Sequence, residues 1–142
     1  QPVRDLHHYW DQRIIEQLPP YLQELLMGAA NFNSMSVEMG EFLTGSNQIA
    51  AEIEYAMSIG NFLTQNDDNS VSLLPHLRQY LLWKQSLMKD PDKVRELYRR
   101  AALYYELHDQ ILPALQCCEK AGDTAEIRSL LIKNAQRNPG AG

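Results

Sequence analysis

Two short runs, Asn61-Phe-Leu-Thr-Gln65 and Ser70-Val-Ser-Leu-Leu74, carry the only convincing β signal in this chain. Both are alternating or β-favouring. Asn66-Asp-Asp-Asn69 between them is a turn tetrapeptide that tolerates left-handed backbone, so the three together read as a single hairpin. A lone two-stranded hairpin is marginal in water and needs helices to lean on. Every other apolar run in the chain has helical spacing.

Those helices can be placed from their punctuation. Asp5 to Leu18 has Leu6, Tyr9/Trp10, Ile14 and Leu18 at helical intervals, and Pro19-Pro20 stops it. Tyr21 to Ala30 places Leu22, Leu25, Leu26 and Ala29 on one face. Asn31 to Ser36 is a turn-rich break, and Ser36 is the N-cap of a short helix through Leu43. Thr44-Gly45-Ser46 ends that helix. Ser46 caps the next, which runs to Ile59 with Ile49, Ile53 and Ala56/Met57 inward, and Gly60 terminates it. Helix, helix, helix, hairpin is the order of a winged helix-turn-helix. After Pro75 the pattern is helical throughout. It predicts Leu77–Met88, a helix from the Asp90-Pro91 cap to about His108, a third from Ile111 to Lys120 with Gly122 as its C-cap, and a fourth through Gln136 started by Asp123 with Glu126. The tyrosines and tryptophans fall at helical spacing and are expected in the core or between helices.

In the last third, Tyr98, Ala101, Ala102, Tyr105, Ala114, Cys118 and Ala121 fall at positions 4, 7, 8, 11, 20, 24 and 27 of a 34-residue tetratricopeptide repeat. Small residues at positions 8 and 20 allow two helices to approach closely. Cys118 stands where that pattern has an aromatic, and Glu126 where it has Pro. A plain antiparallel αα-hairpin that uses Ala for close packing fits the same residues. The fold class expected is therefore mainly α: a winged helix-turn-helix with a small two-stranded hairpin, followed by tetratricopeptide-like antiparallel helices. The divisions are 1–20, 21–89 and 90–142.

Charge separates function classes. From Ile14 to Leu77 the chain has no Lys or Arg and eight carboxylates, a local charge of −8. From Arg78 to Arg100 the sign reverses to +4, seven cations against three acids. DNA affinity comes largely from cations on phosphates, so the acidic stretch is poorly equipped to sit on a duplex. Among 142 residues, 44% are hydrophobic and no apolar run nears the roughly 20 needed to span a bilayer, so no membrane role is expected. Cys117 and Cys118 are adjacent, which disfavours a disulfide between them and points to a cytoplasmic compartment. His7, His8, His76 and His108 are not at metal-ligand spacings, and no metal site is expected. Phosphate-loop, nucleophile-elbow, zincin and dinucleotide-binding motifs are absent, and Glu52 and Glu54 point in different directions on one helix; no catalytic residue is expected. Beginning at Gln1 and closing on Asn138-Pro-Gly-Ala-Gly142, the chain is expected to be a segment of a longer protein.

Taken in order, the motifs resemble those of MalT-like regulators, the bacterial LuxR-type transcription factors built around a signal-transduction ATPase core. Leu25 to Gly45 is similar to their "FLL-x-T-S-I-L … L-T-G" segment. Ile59-Gly-Asn-Phe-Leu-Thr-Gln-Asn-Asp-Asp68 resembles their "N-L-F-L … D-D" run. Leu74-Pro-His-Leu-Arg-Gln-Tyr-Leu81 resembles "H-P-L-[LF]-R-E-[FY]-L", and Arg99 to Tyr105 with Ala114 to Glu126 resembles "H-R-R-A-A-x-W-[YF] … A-[IL]-x-H-A-L-x-A-G-D". The resemblance implies a non-catalytic regulatory module, a winged helix plus the start of a helical-repeat sensor. Such a module would couple sensing to an upstream core that holds ATP or ADP. Its partners would be that core and further repeats, and DNA would be bound only by a separate C-terminal helix-turn-helix. In this class a His at the start of the H-P-L motif senses nucleotide phosphates. With Pro75 on the motif's Pro, that position holds Leu74, and His76, the nucleotide-sensing candidate, stands just after it. A direct DNA-binding winged helix and a general tetratricopeptide-type scaffold are the alternatives.

Overall fold

The computed structural model describes residues 11–88 and 90–137, so the expected helix start at Asp5, with Leu6, Tyr9 and Trp10, lies outside the described residues. These residues are mainly helical with one small antiparallel sheet. The chain divides into two units, Gln1–Lys89 and Asp90–Gly142.

In the first unit, α1 is helical over residues 11–16, and Pro20 at N1 starts α2 (Pro20–Ala29). The inward residues of this first stretch are Asp11, Ile15 and Leu18, spaced four and three apart, whereas Ile14 is 40% exposed. Leu18 is inward as expected, whereas Ile15 takes the place expected of Ile14, and the buried stripe includes a carboxylate. Leu22, Leu25 and Leu26 bury the inner face of α2. α3 (Val37–Thr44) begins at Ser36, whose hydroxyl accepts from the Met39 N–H at 3.0 Å, as the sequence indicates. α4 (Ile49–Ile59) buries Ile49, Ile53 and Ala56. Gly40 of α3 sits against Ile49. A Cβ there would come within 2.8 Å of the Ile49 side chain, so glycine is what allows these two helices their spacing.

Ser46 does not cap α4. Its hydroxyl accepts from the Gln48 N–H, two residues on, and Gln48 occupies the cap position with no side-chain bond. Gly60 ends the helix, as expected, and does so in extended backbone. The need for glycine there is steric: a Cβ would lie 2.6 Å from the Phe62 ring, which is itself in the core.

The hairpin pairs β1 (Leu63–Gln65) with β2 (Val71–Leu73) in the register Leu63↔Leu73, Thr64↔Ser72, Gln65↔Val71. Met35 adds an isolated antiparallel bridge to Val71, with reciprocal N–H to carbonyl bonds of 2.9 Å, inside what reads in sequence as a plain turn. α5 (Pro75–Leu87) starts two residues earlier than its apolar spacing indicates, because Pro75 takes the N1 position where its missing N–H is harmless. Leu77, Tyr80 and Leu81 bury its inner face.

The second unit is three helices. α6 (Pro91–Leu107) is capped by Asp90, whose carboxylate accepts from the Lys93 N–H. The link His108–Gln110 turns the chain through a left-handed Asp109 (φ 58), and the Gln110 N–H bonds back to the Tyr105 carbonyl at 2.8 Å. α7 (Ile111–Ala121) then packs against α6 through Ala101, Ala102, Ala114, Cys117, Cys118 and Ala121, all buried. Small side chains along this seam leave the close approach that their spacing predicts. The inward tyrosine at the end of α6 is Tyr104 rather than Tyr105. Tyr104 is buried and lies 4.2 Å from the His108 ring, while Tyr105 is half-buried. α8 (Thr124–Arg137) follows left-handed Gly122, and Asp123 accepts from the Glu126 N–H at 3.2 Å.

Two outcomes follow from this packing. Gly60→Ala should destabilise the first unit by about 1–3 kcal/mol, read by urea denaturation, because the added methyl would overlap the buried Phe62 ring and force it to shift. Burial pushes the Cys117 and Cys118 thiols up to about 11 from an ordinary 9, so between those values they ionise in the unfolded chain but not in the folded one. Stability should therefore fall as pH rises through about 9 to 11, and the Cys117→Ala/Cys118→Ala double variant should show a shallower fall over the same range.

Candidate functional site

The surface of the first unit is built around α4 and the hairpin tip. The inner stripe of α4 is Ile49, Ile53 and Ala56, which turns two flanks outward. One carries Gln48, Ala51, Glu52, Tyr55 and Ile59; the other carries Ala50, Glu54 and Met57. Tyr55, Met57 and Ile59 are 44%, 41% and 44% exposed. Met57 was expected inward, but the wheel sets it well off the buried stripe. Tyr21 and Trp83, also expected inside, are similarly open to solvent. These positions have helical spacing relative to the core residues, and only the turn of each helix against its neighbours decides which flank is covered.

The hairpin tip is held by its own side chains. The Asn66 amide donates to the Ser70 and Ser72 hydroxyls at 3.0 Å each, and the Ser72 hydroxyl donates to the Asn33 carbonyl at 2.7 Å. Asp68 accepts from both the hydroxyl and the backbone N–H of Ser70, which holds its carboxyl below the usual carboxylate range. Asn69 is in the left-handed conformation (φ 68) that the turn tetrapeptide tolerates. The tip is therefore preformed and anionic.

Between the start of α2 and the start of α4 lies an open depression of about 270 Å³ lined by Tyr21, Gln48, Ala51 and Glu52. No Lys or Arg falls anywhere on α2, α3, α4 or the hairpin. The first unit has five basic and ten acidic residues, net −5, while the second has eight of each.

Arg78, the first cation after the acidic stretch, is engaged at the link between α2 and α3. Its Nε donates to the Ala30 carbonyl at 2.8 Å and one terminal nitrogen donates to the Asn33 side chain at 3.0 Å. It thus satisfies a carbonyl left over at the end of α2. In the second unit, Arg95 pairs with Asp92, Arg99 and Arg100 share Glu96, and Lys133 bonds Glu106 at 2.8 Å. Three of the seven cations between Arg78 and Arg100, namely Arg95, Arg99 and Arg100, are thus paired with acids of their own helix.

His76 lies in the first turn of α5 with its side chain 57% exposed, its Nδ1 3.4 Å from each oxygen of buried Asp11. Sequence spacing alone did not bring these residues together, since 65 positions separate them. Cys117 and Cys118 are free, buried thiols in the second unit. Among the described residues no cluster of three or more His, Cys, Asp or Glu is arranged to hold a metal ion, and no helix is long and apolar enough to cross a membrane.

No protein-family model and no curated protein matches the sequence. What this surface can do therefore rests on its own residues.

Arg78→Ala should cost about 1.5–3 kcal/mol of stability in chemical denaturation, because it strips a charged donor from a helix-end carbonyl. A loss well under that would mean water satisfies the Ala30 carbonyl equally well.

Proposed function

We propose that this chain is a non-catalytic regulatory and interaction module of a MalT-like, LuxR-type, ATP-dependent transcriptional regulator. In this reading residues 21–89 form a winged-helix domain, with α4 in the place of a recognition helix and β1–β2 as the wing, and residues 90–142 begin a tetratricopeptide-like sensor array. The helix order, the hairpin and the Met35–Val71 bridge support the first part; the small-residue seam between α6 and α7 supports the second.

The observation that carries the function is the surface of α4 and the wing. A helix that reads a duplex needs cations for phosphate and Arg, Lys, Asn or Gln for base edges. Here the exposed flanks offer no cation: beyond Gln48 at the helix entrance they carry Glu52, Glu54, Tyr55, Met57 and Ile59, and the tip offers Asp67 and Asp68. Such a face suits protein. By resemblance the protein is an upstream nucleotide-binding core carrying ATP or ADP, with DNA contacted by a separate C-terminal helix-turn-helix. His76, the candidate for nucleotide sensing, lies exposed beside Asp11, while the motif's own His position holds Leu74.

A general protein-interaction scaffold is the second reading. It is favoured by Leu103, Leu107 and Leu112 in the second unit, each about half to two-thirds exposed.

Fluorescence anisotropy with mixed-sequence duplex DNA at low salt separates the module from a direct DNA binder. No appreciable affinity is expected, and submicromolar binding would overturn the module reading.

A further inference from the structure

We propose that the depression between α2 and α4 is a receptor for a lysine or arginine side chain, presented by a basic amphipathic segment of a protein partner. The depression has the parts for this. The exposed Tyr21 ring offers a π face, the Glu52 carboxylate offers the opposite charge, the Gln48 side chain offers an amide acceptor, and Ala51 leaves room for an aliphatic stem. Open to solvent and about 270 Å³ in volume, it has room for one long side chain.

Glu52 has no ion-pair partner among the described residues, and no cation lies between Ile14 and Leu77 to supply one from α2, α3 or the hairpin. The flank continues from Glu52 to Tyr55 and Ile59, roughly one and two helical turns from the depression. A matching segment therefore carries its cation first and apolar side chains one and two turns away. Nucleic acid and anionic lipid are repelled by the same carboxylates, which leaves a basic protein surface as the complementary class.

The proposal rests on the reading of the first unit as a protein-docking module, and it adds the place and the chemistry of the contact. Random peptides of about 12 residues displayed on phage, panned against the intact 142-residue chain, provide the test. Enriched peptides should carry Lys or Arg spaced from aromatic or aliphatic residues by one or two helical turns. In anisotropy titrations their affinity should drop by about tenfold or more on Glu52→Arg and severalfold on Tyr21→Ala. Glu54→Arg, on the other flank, should leave it little changed. All three positions are on the surface, and circular dichroism of each variant checks that the fold persists. Enrichment no better than on a blank surface, a neutral or acidic consensus, or affinity indifferent to Glu52→Arg would overturn the site. Those outcomes leave the module reading standing, whereas tight duplex-DNA binding would remove the reading and leave the peptide result to be judged alone.

Discussion

The paired backbone bonds between Met35 and Val71 fix the short link between α2 and α3 to the hairpin, and much of the first unit is arranged around that link. Two further contacts hold the same few residues: Arg78 from α5 reaches the Ala30 carbonyl and the Asn33 side chain, and Ser72 from β2 donates to the Asn33 carbonyl. Backbone groups in a link of this kind are costly if buried without partners. Here the Met35 backbone pair and the Asn33 carbonyl are met from β2 and the Ala30 carbonyl from α5, so the link, the sheet and α5 are cross-braced. The apolar side chains of α2, α4 and α5 then fill a space whose walls are already set, with Leu22, Ile49 and Leu81 almost fully out of solvent.

Much of the secondary structure was legible because punctuation and periodicity agreed. Ser36, Asp90 and Asp123 cap the helices their positions indicated, and the Asn66–Asn69 turn lies between strands in the expected place. The misses have common causes. Ile14, Tyr21, Tyr55, Met57 and Trp83 sit at intervals compatible with burial, but which side of a helix faces its neighbours is set by tertiary packing. Met35 bridges Val71 across 36 positions, and no local pattern encodes a single-residue pairing. Ser46 is an acceptor at a helix entrance, yet its geometry fastens the lead-in instead. Gly60 terminates α4 as expected but for a reason visible only in space, the Phe62 ring.

The candidate surface was legible in sign and not in shape. The absence of Lys and Arg from Ile14 to Leu77 can be read directly from the letters, and it predicts an anionic first unit. It does not reveal that Arg78 is spent on a helix end, that Arg95, Arg99 and Arg100 pair with acids of their own helix, or that Tyr21 and Glu52 converge. Likewise, His76 could be singled out by motif, but its apposition to Asp11 depends on α1 and α5 being brought together by the core.

The self-bonded hairpin tip has a kinetic corollary. With Asn66, Asp68, Ser70 and Ser72 already satisfied by one another, the loop has little conformational freedom left to lose when a second macromolecule arrives. Encounter then proceeds between preorganised surfaces, and its speed is governed by long-range attraction rather than by loop ordering. Ionic strength, which shortens the reach of that attraction, would then be the throttle on how fast the proposed basic partner meets this acidic unit.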